Sequence, residues 1–362
     1  MNEKEQRLLE LLRQNPFLSQ QEMAEQLHMS RPAVANTISA LIKQGALLGR
    51  AYVFPEVKEI VCIGGANLDR KLHIDGRVCM ATSNPAKTEE TVGGVARNVA
   101  ENLGRLGESV RLLTVAGEDA AWAAIEEQSK PFMNVGAVEL LQGYQTGTYT
   151  AILNGNGEMV LAAADMAIYD ALLPDVLQKH EQQLSRAKFI VADLNCPKET
   201  IAYLQQIAQR HSVPFIVVPV SSPKMAHLPE SFVGIEWLLC NRDEAEAIVG
   251  YTLKTNEQFT EAMLTIQQRG VQNVLITNGS KDIWLRDTLG RVFTKRVPTV
   301  DDIVDVTGAG DSFVAAFIYG LATDVPLERA MHLAITNARQ TIQSPYTVRK
   351  NLTKTQLEME AQ

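Results

Sequence analysis

The stretch Asp305-Val-Thr-Gly-Ala-Gly-Asp-Ser312 and the apolar run Phe313-Val-Ala-Ala-Phe-Ile-Tyr319 that follows it are the most informative part of this 362-residue sequence. The apolar run predicts a buried helix. Two glycines separated by one small residue let the backbone approach an anion closely, and the first amides of a helix point outward with the positive end of its dipole. The spacing therefore predicts an oxyanion or phosphate cradle formed by Gly308, Ala309 and Gly310.

Asp311 follows this cradle directly. A carboxylate at this place would repel a phosphate unless it has a task, and accepting a proton from an attacking hydroxyl is such a task. Asp311 is therefore the candidate catalytic base. On this motif alone, the alternative of a tight turn whose Asp only caps the helix is favoured. The other motifs change that balance.

A second glycine motif, Gly93-Gly-Val-Ala-Arg-Asn98, begins a segment that continues to Gly107. Apolar residues at helical spacing predict one buried face, and Gly107 predicts the end of the helix. Asn98 lies in the first turn, where its amide could bind a ligand hydroxyl held over Gly94. By itself the motif is equally typical of ordinary packing between a strand and a helix.

From Ile60 onward, short apolar runs alternate with helical stretches, which is typical of a mostly parallel sheet with helices on both faces. The predicted strands are Ile60-Val-Cys-Ile63, Arg111-Leu-Leu-Thr-Val115, Phe189-Ile-Val-Ala192, Phe215-Ile-Val-Val218, Trp237-Leu-Leu-Cys240 and Val274-Leu-Ile-Thr277. Residues 72–92 and 144–163 are polar, rich in Thr and punctuated by Gly. They suit small strands outside the main sheet, such as a β lid over the site.

Residues 1–55 differ from the rest and predict three short helices. The first covers about residues 3–14, the second follows Ser19 with Glu22 at capping-box spacing, and the third starts at Ser30. Residues 46–54 suggest a hairpin, and residues 55–58 a linker to a second domain over 58–362. The whole resembles a winged helix-turn-helix module.

In such a module the third helix would enter the DNA major groove. Its polar face offers four candidate DNA-binding residues: Arg31, Asn36, Thr37 and Lys43. Six Lys and Arg against five Glu up to Phe54 is weak support for phosphate binding. The alternative is a small helical domain used for dimerisation or regulation.

Composition sets further bounds. The formal net charge of −8 argues against non-specific attraction to nucleic acid or to an anionic membrane. The four cysteines Cys62, Cys79, Cys196 and Cys240 are widely spaced and are interpreted as reduced core thiols. No apolar segment approaches the roughly 20 residues that span a bilayer, so a cytoplasmic protein is expected. The absence of a Gly-x-x-x-x-Gly-Lys-Ser/Thr motif argues against a P-loop enzyme.

Both glycine motifs, in this order, resemble the signatures of the ribokinase-like (PfkB) family of carbohydrate and nucleoside kinases. The similarity runs from about Ile60 to the C-terminus. Three further matches agree with it: Gly64-Gly-Ala-Asn-Leu-Asp69, Asn241-Arg-Asp-Glu244 and Thr277-Asn-Gly-Ser280. The resemblance implies a ribokinase-like α/β fold and phosphoryl transfer from ATP with Mg²⁺ and a monovalent cation such as K⁺.

The resemblance also implies roles for individual residues. Asp311 matches the base, and the backbone of Gly308, Ala309 and Gly310 matches the anion hole. The positions that match sugar-binding residues are Asn67, Asp69, Gly93, Gly94 and Asn98. Positions matching the nucleotide site are Asn241, Thr277, Gly279 and, near the adenine, Asn337. The cation positions are Glu244 for magnesium and Asp305, Thr307 and, more weakly, Ser344 for a monovalent cation. For Asn241 and Glu244, helix capping is the alternative.

The segments Asn67-Leu-Asp-Arg-Lys71, Thr82-Ser-Asn-Pro85 and Gly93-Gly-Val-Ala-Arg-Asn98 together look like those of pseudouridine kinases. The implied reaction converts ATP and pseudouridine to pseudouridine 5′-phosphate and ADP, with Ser83 and Asn84 as candidates for reading the base. The alternatives are a kinase for another nucleoside or for a free sugar, and a transcription regulator whose kinase fold only senses its ligand. An exposed lid edge and the winged helix both favour a homodimer.

Overall fold

The computed structural model describes residues 3–49 and 57–362 and divides into two compact units, Met1–Val57 and Lys58–Gln362. The N-terminal unit contains α1 (Glu3–Gln14), α2 (Gln20–Gln26) and α3 (Arg31–Lys43). The predicted capping box is present, because Ser19 Oγ accepts from Glu22 N at 3.2 Å and Glu22 Oε2 accepts from Ser19 N at 2.7 Å. The three predicted helices are therefore confirmed.

These helices enclose a small core of their own. It is formed by Leu8, Leu9, Leu12, Met23, Ala24, Val34, Ile38, Leu41 and Leu47. Leu27 and Ile42 are half-buried beside it. Gly45, at φ 72°, follows the end of α3. Most of the hairpin predicted over residues 46–54 lies outside the described residues, and its described part, residues 46–49, forms bends and no strand.

The second unit contains the strands. They are β1 (Ile60–Ile63), β2 (Asn67–Ile74), β3 (Ala86–Gly93), β4 (Val110–Leu113), β5 (Val115–Gly117), β6 (Glu139–Leu141), β7 (Thr148–Leu153), β8 (Met159–Asp165), β9 (Phe189–Asp193), β10 (Phe215–Val218), β11 (Trp237–Asn241), β12 (Asn273–Thr277), β13 (Asp282–Arg286) and β14 (Val292–Arg296). The run predicted as one strand over residues 111–115 is split into β4 and β5.

The helices of this unit alternate with the strands. They are α4 (Val95–Arg105), α5 (Ala120–Ser129), α6 (Pro174–Gln178), α7 (Glu181–Ser185), α8 (Lys198–His211), α9 (Arg242–Val249), α10 (Asn256–Gln268), α11 (Ala309–Ala322), α12 (Leu327–Ile342) and α13 (Lys354–Glu360). Short 3₁₀ turns cover Ala167–Ala171 and Ser222–His227. None of the helices in the described part of the chain is long and apolar enough to cross a membrane.

Eight strands form the main sheet in the order β14-β13-β12-β11-β10-β9-β1-β4. Pairing is parallel from β12 to β4, and β13 and β14 join as an antiparallel edge. Side chains alternate along each strand, so Ile60 and Cys62 belong to the core on the face covered by α4, α11 and α12, whereas Val61 and Ile63 belong to the core on the face covered by α8 and α10. The ribokinase-like α/β architecture with helices on both faces is confirmed.

A separate four-stranded sheet has the order β3-β2-β7-β8. The β2–β3 hairpin is antiparallel and pairs Asn67 with Gly93 at one end and Ile74 with Ala86 at the other. This small sheet begins at Asn67, five residues earlier than the sequence suggested, because the start of β2 already pairs with β3 and β7.

The interpretation of all four cysteines as core thiols is wrong for one of them. Cys62, Cys196 and Cys240 are buried, but Cys79 is exposed in the loop that joins β2 and β3. Cys196 also lies outside a strand but belongs to a core cluster, whereas Cys79 lies in a largely exposed loop with no core around it.

Candidate active site

The candidate site lies at the carboxyl ends of the parallel strands. β1 has β4 on one side and β9 on the other, so the order in which strands are added to the sheet reverses beside β1. Open α/β sheets bind ligands in the crevice outside such a reversal. Gly64 follows β1, and Asp193 ends β9 at the same edge.

The N-terminus of α11 forms one wall of the site. Gly308 precedes the helix at φ 80°, and a Cβ there would lie 2.2 Å from the Thr347 carbonyl oxygen, so only glycine fits. The first intrahelical hydrogen bond runs from Ser312 N to Gly308 O at 2.9 Å. The amides of Gly310 and Asp311 therefore precede the helical ladder. Ala309 N instead donates to Val306 O at 3.3 Å within its own loop.

Asp311 is joined to Asn98 across the site. Asn98 Nδ2 in the first turn of α4 donates to Asp311 Oδ2 at 2.8 Å, although 213 residues separate them. The Asp311 side chain keeps some solvent contact in the open crevice, yet surrounding protein and burial raise its pKa to about 7. The Asn98 hydrogen bond acts in the opposite direction, and the Asp193 and Asp69 carboxylates add to the rise.

Asn67 and Asp69 stand beside this pair at the start of β2. Asn67 Nδ2 donates to Asp69 Oδ1 at 2.5 Å, and burial raises the pKa of Asp69 to about 6. A Cβ on Gly93 would lie 2.3 Å from Asp69 Oδ2. Gly94, at φ 99°, would place a Cβ 2.3 Å from the Gly65 carbonyl oxygen. Gly94 is thus required by the close approach of the loop after β1, and Gly93 by the Asp69 side chain of β2.

Asp193 was missed by sequence reasoning. Its side chain is 1% exposed, and Oδ2 accepts from Gly65 N at 2.8 Å and from Ala96 N at 2.9 Å. Oδ1 accepts from Asn195 N at 2.8 Å. Burial raises the pKa of Asp193, and the backbone amides oppose this. The carboxylate thereby ties the loop after β1 to the start of α4. The available signal was Asp193-Leu-Asn195, polar residues directly after a predicted strand.

The hydroxyl of buried Tyr169 reinforces the same loop. It accepts from Ala66 N at 2.9 Å and donates to Ala66 O at 2.6 Å. The loop after β1, which leads into Asn67 and β2, is therefore held by the side chains of Asp193 and Tyr169. No motif in the sequence pointed to Tyr169.

A cavity of about 150 Å³ connects Asp311 with the middle of the sheet. Asn241, Glu244, Thr277 and Gly310 also line it. Asn241 and Glu244 cap α9 reciprocally, at 2.8 and 2.9 Å, as the capping alternative predicted. Glu244 is a buried carboxyl group in the same cavity as the candidate base, and burial raises its pKa.

A larger cavity of about 540 Å³ adjoins the first and shares Thr277, Gly310 and Phe313 with it. Its walls are mainly apolar, with Ile283, Val297, Ile303, Ile335, Ala338 and Ile342 among its lining residues. Gly279, in the turn after β12, contributes to the rim at φ 58°. Thr277 and Gly279 thus reach a cavity with the size and apolar character of a ligand pocket.

Asn337, which was expected near the adenine, does not line this cavity. Its side chain is fully buried on another face of α12, where Nδ2 donates to Asn102 Oδ1 at 3.0 Å and to Ser312 O at 2.9 Å. Arg349 Nε donates to its Oδ1 at 2.9 Å. The cavity is lined instead by Ile335, Ala338, Arg339 and Ile342, which recur at helical spacing on the opposite side of α12.

The loop before the cradle carries Asp305 and Thr307. Asp305 Oδ1 accepts from Thr307 N and Oγ1 at 2.9 and 2.7 Å, and Oδ2 accepts from Lys71 Nζ at 2.9 Å. Burial alone would raise the pKa of Asp305, but these hydrogen bonds outweigh it and lower the pKa. The loop runs beside Ser344, since Asp305 N donates to Ile342 O. Within residues 3–49 and 57–362, no three acidic, His or Cys side chains converge as a metal site.

Ser83 and Asn84 lie in the loop that joins β2 and β3, at the end of the hairpin away from Asn67 and Gly93. The β2–β3 hairpin runs from Asn67 and Gly93 to Ile74 and Ala86, so its connecting loop starts about 23 Å along the strand from Asn67. Asn84 Nδ2 donates to Cys79 O and Thr82 O, and Oδ1 accepts from Cys79 N. These bonds support the alternative of a turn, because both amide protons of Asn84 are used there.

In the N-terminal unit, Arg31, Asn36 and Lys43 are exposed on α3. Thr37 is half-buried, and its hydroxyl donates to Ala33 O at 2.9 Å within the helix. Three of the four predicted DNA-binding side chains are thus free of the core, while Thr37 is partly engaged by its own helix.

The comparisons with known proteins agree with this architecture. The family model described as pfkB family carbohydrate kinase matches residues 57–354, and a winged helix-turn-helix DNA-binding model matches residues 1–47. The uncharacterized sugar kinase YeiI of Escherichia coli (strain K12) is 30% identical over 339 residues, which covers 93% of each protein. Pseudouridine kinase of the same organism is 30% identical over 289 residues, covering 80% of this chain and 91% of that protein.

Among solved structures, Arabidopsis thaliana ribokinase complexed with ribose and ATP superposes with a TM-score of 0.76 and covers 85% of this chain and 99% of its own. At 19% identity this match shows the shared fold. The family model spans most of the chain, and both relatives of 30% identity are named as kinases. The chain therefore belongs to the pfkB family of carbohydrate kinases and is a phosphotransferase with an alcohol group as acceptor.

Proposed function

We propose that this kinase phosphorylates pseudouridine at its 5′ hydroxyl, with ATP as the donor and Asp311 as the base. The observation that carries the mechanism is the Asp311 carboxylate at the N-terminus of α11, in contact with Asn98 at 2.8 Å. The attacking hydroxyl would transfer its proton to Asp311 as its oxygen bonds to the γ-phosphorus of ATP, while the bond from that phosphorus to the β,γ-bridging oxygen breaks and ADP leaves. The amides of Gly310 and Asp311 and the helix dipole would stabilise the negative charge that develops.

On the acceptor side, we propose that Asn67, Asp69 and Asn98 bind ribose hydroxyls above Gly93 and Gly94. The position of Asp69 supports this proposal. Asn67 donates a hydrogen bond to its carboxylate, and Gly93 leaves space beside it because a glycine has no side chain. A carboxylate that accepts from two hydroxyls can fix a ribose without any positive charge. The site thereby suits an uncharged polyol or nucleoside.

On the donor side, kinases of this fold use ATP with Mg²⁺. The apolar 540 Å³ cavity fits a purine ring, and Thr277 and Gly279 at its rim are proposed to contact the nucleotide. Glu244 and Asn241 reach the smaller cavity that joins it to Asp311, so oxygen ligands are available for Mg²⁺ and its waters. Bound Mg²⁺ would offset the charge of the phosphates.

We also propose a monovalent cation, such as K⁺, beside the loop that precedes the cradle. Asp305 and Thr307 form a tight turn there, and the segment with Ser344 runs alongside. Backbone carbonyls of these segments are the candidate ligands. Activity measured in K⁺, Na⁺ and tetramethylammonium salts at constant ionic strength tests this, and equal rates in all three would refute it.

Pseudouridine as the substrate is supported by the relative of that name and by the Asn67-Leu-Asp-Arg-Lys71 start of β2. A kinase for another nucleoside or for a free sugar such as ribose or fructose would use the same catalytic residues. A panel of pseudouridine, uridine, inosine, ribose and fructose, assayed by ADP release with Mg²⁺ and K⁺, separates these options. If ribose or uridine has a kcat/KM equal to or above that of pseudouridine, the substrate assignment is wrong.

The match of residues 1–47 to a DNA-binding family favours a second role in regulation. We propose that the exposed side chains of α3, Arg31, Asn36 and Lys43, contact DNA. Footprinting upstream of the protein's own operon, with and without pseudouridine, tests this. Loss of protection in an Arg31→Ala, Lys43→Ala variant is expected, whereas unchanged protection would refute the assignment to α3.

A regulator that only senses its ligand is the rival from a different class. It predicts ligand binding without turnover. Asp311→Asn should abolish ATP turnover while pseudouridine binding, measured by calorimetry, persists. A wild-type protein that binds nucleoside but releases no ADP would favour the regulator.

We further propose a homodimer that pairs through the edge of the small sheet. β8 is its last strand, and Met159 and Leu161 are each 60% exposed there. Open strand edges with exposed apolar residues are suited to pairing with a second chain. Sedimentation of the wild type and of Leu161→Lys tests this, since the variant should shift toward monomer.

A further inference from the structure

Arg97 is an arginine with almost no exposure, at 1%, in the middle of the α4 first turn. It lies directly before Asn98 in the chain and was assigned no role in the sequence. Burying a guanidinium is costly unless its charge and its donors are matched. Its partners therefore indicate what it does.

Each donor group of Arg97 has a defined acceptor. Nη2 forms an ion pair with Glu101 one turn later, and Nε donates to Ser129 Oγ on α5 at 3.2 Å. Nη1 donates to Asn98 Oδ1 at 3.2 Å. The guanidinium is thus anchored at two points and presents its third donor to the side chain that contacts Asp311.

A carboxamide has one acceptor end and one donor end, and the two have nearly the same shape. A guanidinium has only donors, so it can face only the oxygen of Asn98. With Oδ1 directed at Arg97, Nδ2 must point the other way, where it meets Asp311 Oδ2 at 2.8 Å. If the amide were reversed, Oδ1 would face the Asp311 carboxylate, and two N–H donor groups would face each other at Arg97.

We propose that Arg97 is a positioning residue that fixes the orientation of the Asn98 amide, so that Asn98 donates to Asp311 and keeps this carboxylate ionised for proton abstraction. The inference rests on the proposed role of Asp311 as the base. Arg97 has no contact with Asp311 and acts on it through Asn98.

The groups around Asp311 make this hydrogen bond consequential. Asp69 on β2 and Asp193 on β9 are both carboxylates and disfavour a further negative charge. Glu244 on α9 lines the same cavity. The nearby cations are already paired, Lys71 with Asp305 and Arg97 with Glu101. Asn98 is thus the neutral donor that opposes burial and the neighbouring carboxylates at this site.

The test is the pH profile of kcat in Arg97→Met, with the acceptor and ATP at saturation. We expect the acid limb of the profile to move to a pH about one unit higher. At pH values on this limb kcat should fall roughly tenfold, and on the alkaline plateau kcat should be nearly unchanged. Glu101 keeps a partner in this variant, because Arg105 Nη2 also contacts it at 2.7 Å.

Arg105→Met is the matched control. Arg105 pairs with the same Glu101 from the same helix, stacks on Phe132 at 3.9 Å and has no contact with Asn98. It should lose comparable thermal stability and keep the wild-type acid limb. If Arg97→Met and Arg105→Met have the same acid limb, the proposal is overturned.

Two further variants keep the test decisive. Arg97→Lys retains the charge opposite Glu101 but lacks the planar fork that reaches three acceptors, so it should fold and still move the acid limb up. In an Asn98→Ala background, Arg97→Met should add no further shift, because the pathway through Asn98 is already removed. An additive shift there would contradict the proposal. A wild-type protein that phosphorylates none of the acceptors would instead refute the proposed function itself.

Discussion

Replacing Asp311 with Asn should remove activity and, at alkaline pH, make the protein more stable. The carboxylate is forced to ionise in a site that disfavours its charge, and burial is the main cause of its raised pKa. Asn has nearly the same shape and can still accept from Asn98 through its amide oxygen. Catalysis should fall by about 10²- to 10⁴-fold, since the general base is lost.

The size of the stability gain follows from the pKa of Asp311, which rises from 3.8 to about 7. Between these values the folded state binds a proton that the unfolded state does not bind, so this group lowers the free energy of unfolding as the pH rises. Three pKa units correspond to about 4 kcal/mol above pH 7. Solvent contact of the side chain screens part of this, and we expect about 2 kcal/mol, or roughly 4 °C in Tm.

The assay is thermal unfolding of the kinase domain in the full chain, without ligands, at pH 5 and pH 8. At pH 5, Asp311 is mostly protonated in the folded wild type but already ionised in the unfolded chain, so less than half of the difference remains and Asp311→Asn should melt only slightly higher. At pH 8, Asp311→Asn should melt higher. Asp69 and Asp193 interact with Asp311, so removing the Asp311 charge also lowers the cost of ionising them, which adds to the higher Tm expected at pH 8.

Asp287→Asn is a control of opposite sign. Burial alone would raise the pKa of Asp287, but Arg291 and backbone amides outweigh it and lower the pKa. Its stabilisation is complete above the unfolded pKa near 4 and is lost only at lower pH, so the variant should lose the same stability at pH 5 and pH 8. A Tm difference for Asp311→Asn that is equal at both pH values, or negative at pH 8, would refute the reasoning.

Three further changes test the architecture of the site. Gly94→Ala should cost about 2–4 kcal/mol and raise the acceptor KM, because φ is 99° and a Cβ would lie 2.3 Å from Gly65 O; thermal unfolding and steady-state kinetics measure both. Asp193→Asn should raise the acceptor KM about tenfold with an unchanged ATP KM, because both carboxylate oxygens accept backbone amides and an NH₂ group would face one of them. Lys71→Met should raise the acceptor KM several-fold while changing stability by less than about 1 kcal/mol, because the ion pair with Asp305 is partly exposed.

Each of these has a result that would contradict it. For Gly94→Ala, wild-type stability would mean that the loop after β1 does not constrain this position. For Asp193→Asn, equal increases in the KM of acceptor and ATP would indicate general misfolding and no specific effect on the acceptor loop. For Lys71→Met, unchanged kinetics would show that its contact with Asp305 does not hold the small sheet over the site.

The sequence by itself was sufficient for every feature with a local cause. The capping box at Ser19 and the buried face of α3 depend on spacing within one helix, and both are present. The strands β1 and β10 begin and end where their apolar runs do. The two glycine motifs predicted the family and the position of Asp311, because close backbone approach excludes any other residue at Gly94 and Gly308.

Local patterns could not show which partners an amide side chain would take. Asn337 was expected near the nucleotide and Asn84 near the base, and the structure adds that both amides form hydrogen bonds within the fold. The antiparallel edge formed by β13 and β14 was not predicted either. Helical facing and strand register decide such cases, and neither can be read from a single residue and its neighbours.

Only the tertiary structure decided which charges meet. The order of the strands brings Asp193, at the end of β9, beneath the loop that follows β1, and packing of α4 on α11 brings Asn98 to Asp311. Lys71 meets Asp305 across 234 residues in the same way. The sequence thus pointed to the proposed base and to the helix N-terminus beside it, because these depend on adjacent residues. The contacts that tune and orient that group depend on which elements pack together, and this is settled by burial of the whole core.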